Sequence, residues 1–339
     1  MTPGATVLVT GGTGFTGRHL LRRLVERGMR VRATARETSS REGLEELPID
    51  WRVGALHDAA FVRSCVEGVE YIFHLASNYR QSHGSEEDHR NIHVVSTQHL
   101  AGAASEQAAF KRFVHVSTVG VHGHVDKPPA DENHPFSPGD IYQRSKLEGE
   151  QWILADARES GLPAVVVRPA AIYGPGDRRL FKVFKMATSP IVPLVGFGRC
   201  LYHLIHVDDL VDFMLLVAEH PAAVGEAFIC AAAETITIED FVRVVGRHLG
   251  VRNRFVRIPA APLMGAAIVC DRVCQALKVA PPLYPRRVAF FTKDRSFDTT
   301  RMQKRLGFKP RRGNAEGIRA TADWYIEQGW LPPRKEGAA

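Results

Sequence analysis

The stretch Val7-Leu8-Val9-Thr10-Gly11-Gly12-Thr13-Gly14-Phe15-Thr16-Gly17 limits the possible folds more than any other part of the chain. An apolar run opens it, glycines recur at every third position from Gly11 to Gly17, and residues 18–25 continue with helical periodicity. The pattern predicts a strand that turns tightly into a helix. Gly11 is free to take a backbone conformation closed to other residues, Gly14 lets a diphosphate approach the main chain, and Gly17 lets helix and strand pack closely. The helix N-terminus offers free N–H groups and a partial positive charge to phosphate oxygens. A plain turn can carry the same glycines; their place between a strand and a helix points to a dinucleotide site, lined also by Thr13, Phe15 and Thr16.

Further along, strands alternate with helices, which predicts a doubly wound parallel sheet. Residues 30–36, 49–53, 71–77, 113–118 and 164–169 read as strands after the first, with a helix starting at 54–58 and a long one over 86–109. Small residues close the fourth strand at Leu75, Ala76 and Ser77, beside the expected cofactor. Past Pro169 the pattern loosens, with Phe228-Ile229-Cys230 as a late strand of the same sheet. The expected division is a cofactor domain over 1–173 with 204–232 returning to it, a smaller and mostly helical substrate domain over 174–203 and 233–330, and a flexible tail over 331–339.

At the end of the second strand, where such folds meet the adenosine ribose, a carboxylate would grip the 2′-hydroxyl of NAD. This chain has Arg36 there, with Thr38, Ser39, Ser40 and Arg41 behind it. Arginine plus hydroxyls suits a 2′-phosphate, so NADP(H) is favoured over NAD(H); a basic surface loop containing Glu37 is the competing account.

The net charge of +7 comes from dispersed arginines without interleaved aromatics, which argues against a nucleic-acid partner. The five cysteines form no CxxC pair and the first strand starts almost at once, so reduced thiols in the cytoplasm are expected. No apolar run approaches the ~18 residues of a membrane span. His83, His89 and His93 lack supporting cysteines or paired carboxylates, so no metal site is expected and a solvated histidine-rich surface is the reading.

Tyr142-Gln143-Arg144-Ser145-Lys146 carries the chemistry. Positions four apart share a helix face, so the phenol and the ammonium point into one site. A free tyrosine has a pKa of about 10, and lowering it by ~3 units takes ~4 kcal/mol of differential interaction. Lys146 and the charge on an oxidised nicotinamide are suited to supply it. Ser117 and Thr118 end the fifth strand, where a hydroxyl would hold the substrate oxygen and complete a proton relay beside a hydride carrier.

Together with His74-Leu75-Ala76, Arg168-Pro169, Tyr173-Gly174-Pro175-Gly176 and His206-Val207-Asp208-Asp209, these motifs resemble the extended branch of the short-chain dehydrogenase/reductase family over residues 7–330. The resemblance implies a Rossmann domain, a C-terminal substrate domain and a homodimer. It implies Tyr142 as catalytic acid/base, Lys146 as ligand of the nicotinamide ribose, and Thr118 beside Ser117 at the catalytic hydroxyl position. Leu56, Pro169 and Ile172 fall where family members hold the cofactor, and Asn91, Val119 and Tyr202 where they face substrate. Ala55 replaces the aspartate that often helps hold adenine.

Three departures bear on the substrate. Val119-Gly120 follows Thr118 where dehydratases carry Asp-Glu. Tyr202 stands where sugar-nucleotide enzymes place a diphosphate-binding arginine, and Ala170-Ala171 where they often have an asparagine. Residues 281–288 and 297–308 resemble 3β-hydroxysteroid dehydrogenase-like members, and the apolar run 260–277 suits either a cover over a lipophilic substrate or a core helix. The expectation is an NAD(P)-dependent oxidoreductase acting on an apolar ring alcohol or ketone. A nucleotide-sugar 4-epimerase is the alternative and a non-catalytic NADP(H) sensor the minor one, the sensor disfavoured by the intact Tyr/Lys pair.

Overall fold

The computed structural model describes residues 1–78, 85–196, 198–277, 279, 281–285, 288 and 294–335. Strand β1 (Thr6–Thr10) buries Val7, Leu8 and Val9 completely and turns through the glycines into α1 (Phe15–Glu26). There follow β2 (Arg30–Ala35), β3 (Ile49–Val53), α2 (Ala59–Val66) and β4 (Tyr71–His74). The next helix is broken into α3 (Glu86–Arg90), a π-helical turn (Asn91–Val95) and α4 (Ser96–Ser105). Next come β5 (Arg112–Val116), α5 (Ile141–Ser160) and β6 (Ala164–Pro169). Beyond these lie β7 (Ala171–Tyr173), α6 (Phe181–Met186), β8 (Ile191–Val195), β9 (Leu201–His206), α7 (Val207–Glu219) and β10 (Ala227–Cys230). The chain continues through β11 (Thr235–Thr237), α8 (Ile238–His248), β12 (Arg254–Ile258), α9 (Ala260–Ala276), α10 (Thr300–Leu306) and α11 (Asn314–Glu327).

Seven strands form one parallel sheet in the order β10-β6-β5-β4-β1-β2-β3. This is the doubly wound Rossmann architecture. The near-continuous apolar character of β1, β4, β5 and β6 follows from burial on both faces. β1 has β2 on one side and β4 on the other, so the strand order reverses there, and ligands of such sheets bind outside the carboxyl ends at that point. Those ends bring the glycine turn, residues 75–78, Ser117-Thr118 and residues 170–172 to one edge. Phe228-Ile229-Cys230 lies in β10, the edge strand against β6.

Several boundaries differ from the sequence expectation, each for a local reason. The helix after β3 begins at Ala59 because the Asp58 carboxylate accepts the Ala60 and Phe61 N–H groups and caps it. The helix expected over 86–109 ends at Ser105, after which the chain turns to seat Phe110 against the core before β5. The loosely patterned region resolves into a three-stranded sheet, β11-β9-β7, and a two-stranded ribbon of β12 and β8. A second core forms there around Tyr173, Phe184, Phe241 and Tyr325; the Phe184 ring meets those of Phe241 and Tyr325 edge to face at 4.9–5.0 Å.

α9 is mixed in burial: Ala267 is fully buried, whereas Val269 is 62% and Val273 50% exposed, so this apolar helix is not a core helix along its whole face. Leu331 is buried, and the Lys335 N–H donates to the Leu249 carbonyl at 3.2 Å, so the chain stays packed past the end of α11. Among the described residues, no helix is long and apolar enough to cross a membrane.

Candidate active site

The glycine turn has the geometry its spacing predicts. Gly11 sits at φ +72°, and a Cβ there would lie 2.7 Å from the Ala76 nitrogen; one on Gly17 would lie 2.3 Å from the Gly11 carbonyl oxygen. Gly14 caps α1, whose first turn has neither a side-chain cap nor an acidic residue. The leading N–H groups and the positive end of the helix dipole are therefore left for an anion. This cradle fits a dinucleotide diphosphate.

Arg18 braces the cradle from behind. Its guanidinium donates to the Thr13 carbonyl at 3.0 Å, to the Ser40 carbonyl at 2.8 Å and to the Glu42 carbonyl, tying the turn to the loop after β2. Arg36 begins that loop with its side chain exposed, in a short turn closed by the Ser39 N–H donating to the Arg36 carbonyl at 2.9 Å. Leu56 packs in the turn between β3 and α2, while Pro169 ends β6 and Ile172 lies in β7.

α5 starts where Asp140 accepts the Gln143 N–H at 2.8 Å, which places Tyr142 and Lys146 on its first turns. Lys146 is 2% exposed, and its ammonium donates to the Val116 carbonyl at the end of β5, 2.9 Å away. Burial pushes its pKa down to about 7, against a smaller opposing pull from Glu150. Burial thus makes this ammonium easier to deprotonate than that of an exposed lysine. The Ser117 hydroxyl is buried with no partner among the described residues. Thr118 Oγ1 accepts the Gly120 N–H at 3.0 Å, which leaves its own proton to donate. Val119, the first residue of the 3₁₀ turn that follows, is buried.

Beneath this edge Arg168 is sealed from solvent. It pairs with the Glu150 carboxylate and donates to the Glu132 carbonyl at 2.9 Å, with His122 Nε2 at 3.1 Å. His206-Val207-Asp208-Asp209 serves the fold. Asp208 bridges His19 (3.3 Å) and Arg312 (3.0 Å), and the hydrogen bond from His19 holds its carboxyl down at about 2. His19 Nε2 also lies 2.9 Å from the Pro175 carbonyl, so α1, the Tyr173–Gly176 loop and the C-terminal part are stapled together.

The structure gathers the glycine turn, Ala76, Ser77, Ser117, Thr118, Tyr142 and Lys146 along one sheet edge. Asn91 opens the π-helical turn, half-buried. Tyr202 lies apart on β9, buried, with Arg295 donating to its hydroxyl at 3.0 Å and stacked over its ring at 5.3 Å. Sequence reasoning missed this arginine, 93 residues downstream. It also misread two histidines: His89 and His93 are buried rather than part of a solvated surface, and His83 lies outside the described residues, as do Arg286 and Arg287. His93 sits inside the apolar run Ile92-His93-Val94-Val95, the one signal that could have corrected the reading.

The model of the NAD dependent epimerase/dehydratase family matches residues 7–231. The chain is 28% identical to the sterol demethylase protein B of Methylococcus capsulatus, over 96% of this chain and 100% of that protein. It is also 28% identical to 3beta-hydroxysteroid-dehydrogenase/decarboxylase isoform 2 of Arabidopsis thaliana, over 96% of this chain but only 64% of that longer protein. Among solved structures, the UDP-glucose 4-epimerase of Thermotoga maritima superposes with a TM-score of 0.77 at 22% identity, covering 95% of this chain and 99% of that one. The chain belongs to the NAD dependent epimerase/dehydratase family, whose members are NAD(P)-dependent oxidoreductases and epimerases.

Proposed function

We propose that this family member transfers a hydride between NADP(H) and a secondary alcohol or ketone of an apolar ring compound, with Tyr142 as acid/base. The observation that carries the reading is the buried Lys146, one helical turn after Tyr142 and hydrogen-bonded to the Val116 carbonyl at the end of β5, at the edge that also holds the diphosphate cradle. Residues 1–173 and 204–232 form the cofactor unit in this reading, and the rest, up to 330, the substrate unit.

The bound nicotinamide supplies the hydride acceptor or donor. Thr118, with its proton free to donate, holds the substrate oxygen against the Tyr142 phenol. Tyr142 then gives or takes the hydroxyl proton as the carbon changes oxidation state. Lys146, anchored on Val116, stabilises the phenolate and passes the proton on. Arg36, exposed at the end of β2 among serine and threonine hydroxyls, suits a 2′-phosphate. Ala170 and Val119, just past the ends of β6 and β5, put apolar rather than polar side chains there, and each Å² of apolar substrate surface buried contributes about 25 cal/mol.

One observation favours a second reading. Arg295 stacked on Tyr202 brings a guanidinium to the position that lacks the expected arginine, so a sugar nucleotide would find a cation there. A paired substrate panel separates the two. Hydroxysteroids and flavonoid-like ketones should change nicotinamide absorbance, and UDP- and dTDP-hexoses should stay unepimerised. Epimerised sugar nucleotide with no net nicotinamide change and no turnover of apolar ketones would reverse the assignment.

A further inference from the structure

His93 is fully buried in the π-helical turn and tethered on both sides. Its Nδ1 lies 2.8 Å from Ser145 Oγ, and its Nε2 lies 3.3 Å from both Ser77 Oγ and the Asn78 nitrogen. The ring also meets the Tyr142 ring edge to face, with centroids 5.5 Å apart. Ser145 lies one residue before Lys146, and Ser77 and Asn78 follow directly from Leu75 and Ala76 at the end of β4.

Hydrogen-bond accounting fixes the tautomer. Ser145 Oγ donates its only proton to the Tyr142 carbonyl at 3.1 Å. His93 Nδ1 must therefore be the donor to Ser145, and Nε2 the acceptor of the Asn78 N–H and the Ser77 hydroxyl. The ring stays neutral because burial, with Lys146, His89, His74 and His115 around it, pushes its pKa well below the ordinary value. A continuous path thus runs from the floor of the cleft, Ser77 and Asn78, through His93 to the turn of α5 that carries Tyr142 and Lys146.

Two backbone features make this geometry possible. The π-helical turn admits one extra residue and carries His93, buried, between the end of β4 and α5. Gly149 lies against it on α5, where a Cβ would come within 2.2 Å of the His93 carbonyl oxygen. The two helices therefore meet at backbone distance, and Ser145, one turn before Gly149, falls within reach of the imidazole.

We propose that His93 is a positioning residue that locks the Tyr142 turn of α5 to the floor of the cofactor cleft, so that nucleotide bound on that floor sets the position of the Tyr142 phenol. The proposal rests on the reading of the glycine turn as a nucleotide site and of Tyr142 as the acid/base. It places on one imidazole a mechanical coupling that neither Tyr142 nor Lys146 supplies.

The test is a tyrosinate absorbance titration, with Tyr142 isolated as the difference from Tyr142→Phe, run with and without saturating NAD⁺. In the parent protein NAD⁺ should lower the Tyr142 midpoint by about one unit, a tenfold shift in its ionisation constant. His93→Leu, which fills the site but breaks both tethers, should reduce that shift about three- to tenfold while NAD⁺ still binds. Ser145→Ala, a deletion of one oxygen, should do the same, and His93→Asn, which keeps a donor toward Ser145, should recover part of the shift. A ligand-induced shift of parental size in both His93→Leu and Ser145→Ala would overturn the coupling, as would its absence from the parent with NAD⁺ bound. Where only NADP⁺ binds, the same titration is run with it; failure of the parent to bind either nucleotide would instead sink the nucleotide-site reading on which the coupling rests, and the coupling with it.

Discussion

Replacing Lys146 by Met gives the most informative perturbation of the unliganded protein. The amine is 2% exposed and tied to the Val116 carbonyl by a hydrogen bond, and burial lowers its pKa from 10.5 to about 7. A base whose folded pKa is depressed binds fewer protons in the native than in the unfolded chain between those two values. Its charged form therefore costs stability most below about 7, and the contribution to stability rises with pH across the window from about 7 to about 10, by up to ~1.4 kcal/mol per pH unit. Other groups oppose this. Burial holds the thiols of Cys65 and Cys230 and the phenol of Tyr173 above their usual values, so their contribution is lost as pH rises through the alkaline range. The quantity to follow is consequently the difference between parent and Lys146→Met, in which those groups cancel. Urea unfolding of both proteins at pH 7, 8 and 9 measures it. The variant should be the more stable relative to its parent at pH 7, with the gap closing by about 1 kcal/mol per pH unit toward pH 9. Parallel pH profiles would show that Lys146 carries its charge in the fold without penalty, and the basis for its role as a proton carrier at neutral pH would fall.

Two further outcomes follow from named contacts. Arg36→Ala should weaken NADP(H) by ~1.5–3 kcal/mol, the scale of a charged hydrogen bond, and leave NAD(H) unchanged; isothermal titration with both nucleotides checks it, and equal losses for the two would refute the 2′-phosphate role. Glu150→Ala strands the buried Arg168 guanidinium and should lower stability by ~3–5 kcal/mol in urea unfolding, whereas a loss below about 1 kcal/mol would mean that water reaches Arg168.

The parts of this molecule that were legible in advance are those whose physics is local. Three glycines at fixed spacing need only the strand before them and the helix after, and at Gly11 and Gly17 a Cβ would strike backbone. Tyr142 and Lys146 share a face because helix geometry makes positions four apart neighbours. The parallel sheet followed from strands that alternate with helices along the chain. What escaped depends on a residue far away in the chain or on an irregularity within an element. Arg295 reaches Tyr202 across 93 positions, and Asp208 holds His19 and Arg312 from 189 positions after one and 104 before the other. The π-helical turn leaves no mark on composition, so His93 read as surface although its apolar neighbours hinted otherwise. The exposed valines of α9 show the reverse case: an apolar run legible in the sequence that the fold only partly buries.

The central claim is that Tyr142 moves the proton while hydride moves to or from a nicotinamide. Steady-state turnover of Tyr142→Phe, followed by nicotinamide absorbance on whichever apolar ketone the panel selects, tests it most directly. Removing one oxygen from a half-buried ring leaves the fold and the cradle in place. The account predicts a loss of at least ~10²-fold in kcat with nucleotide affinity unchanged; a variant that turns over at the parental rate would contradict it.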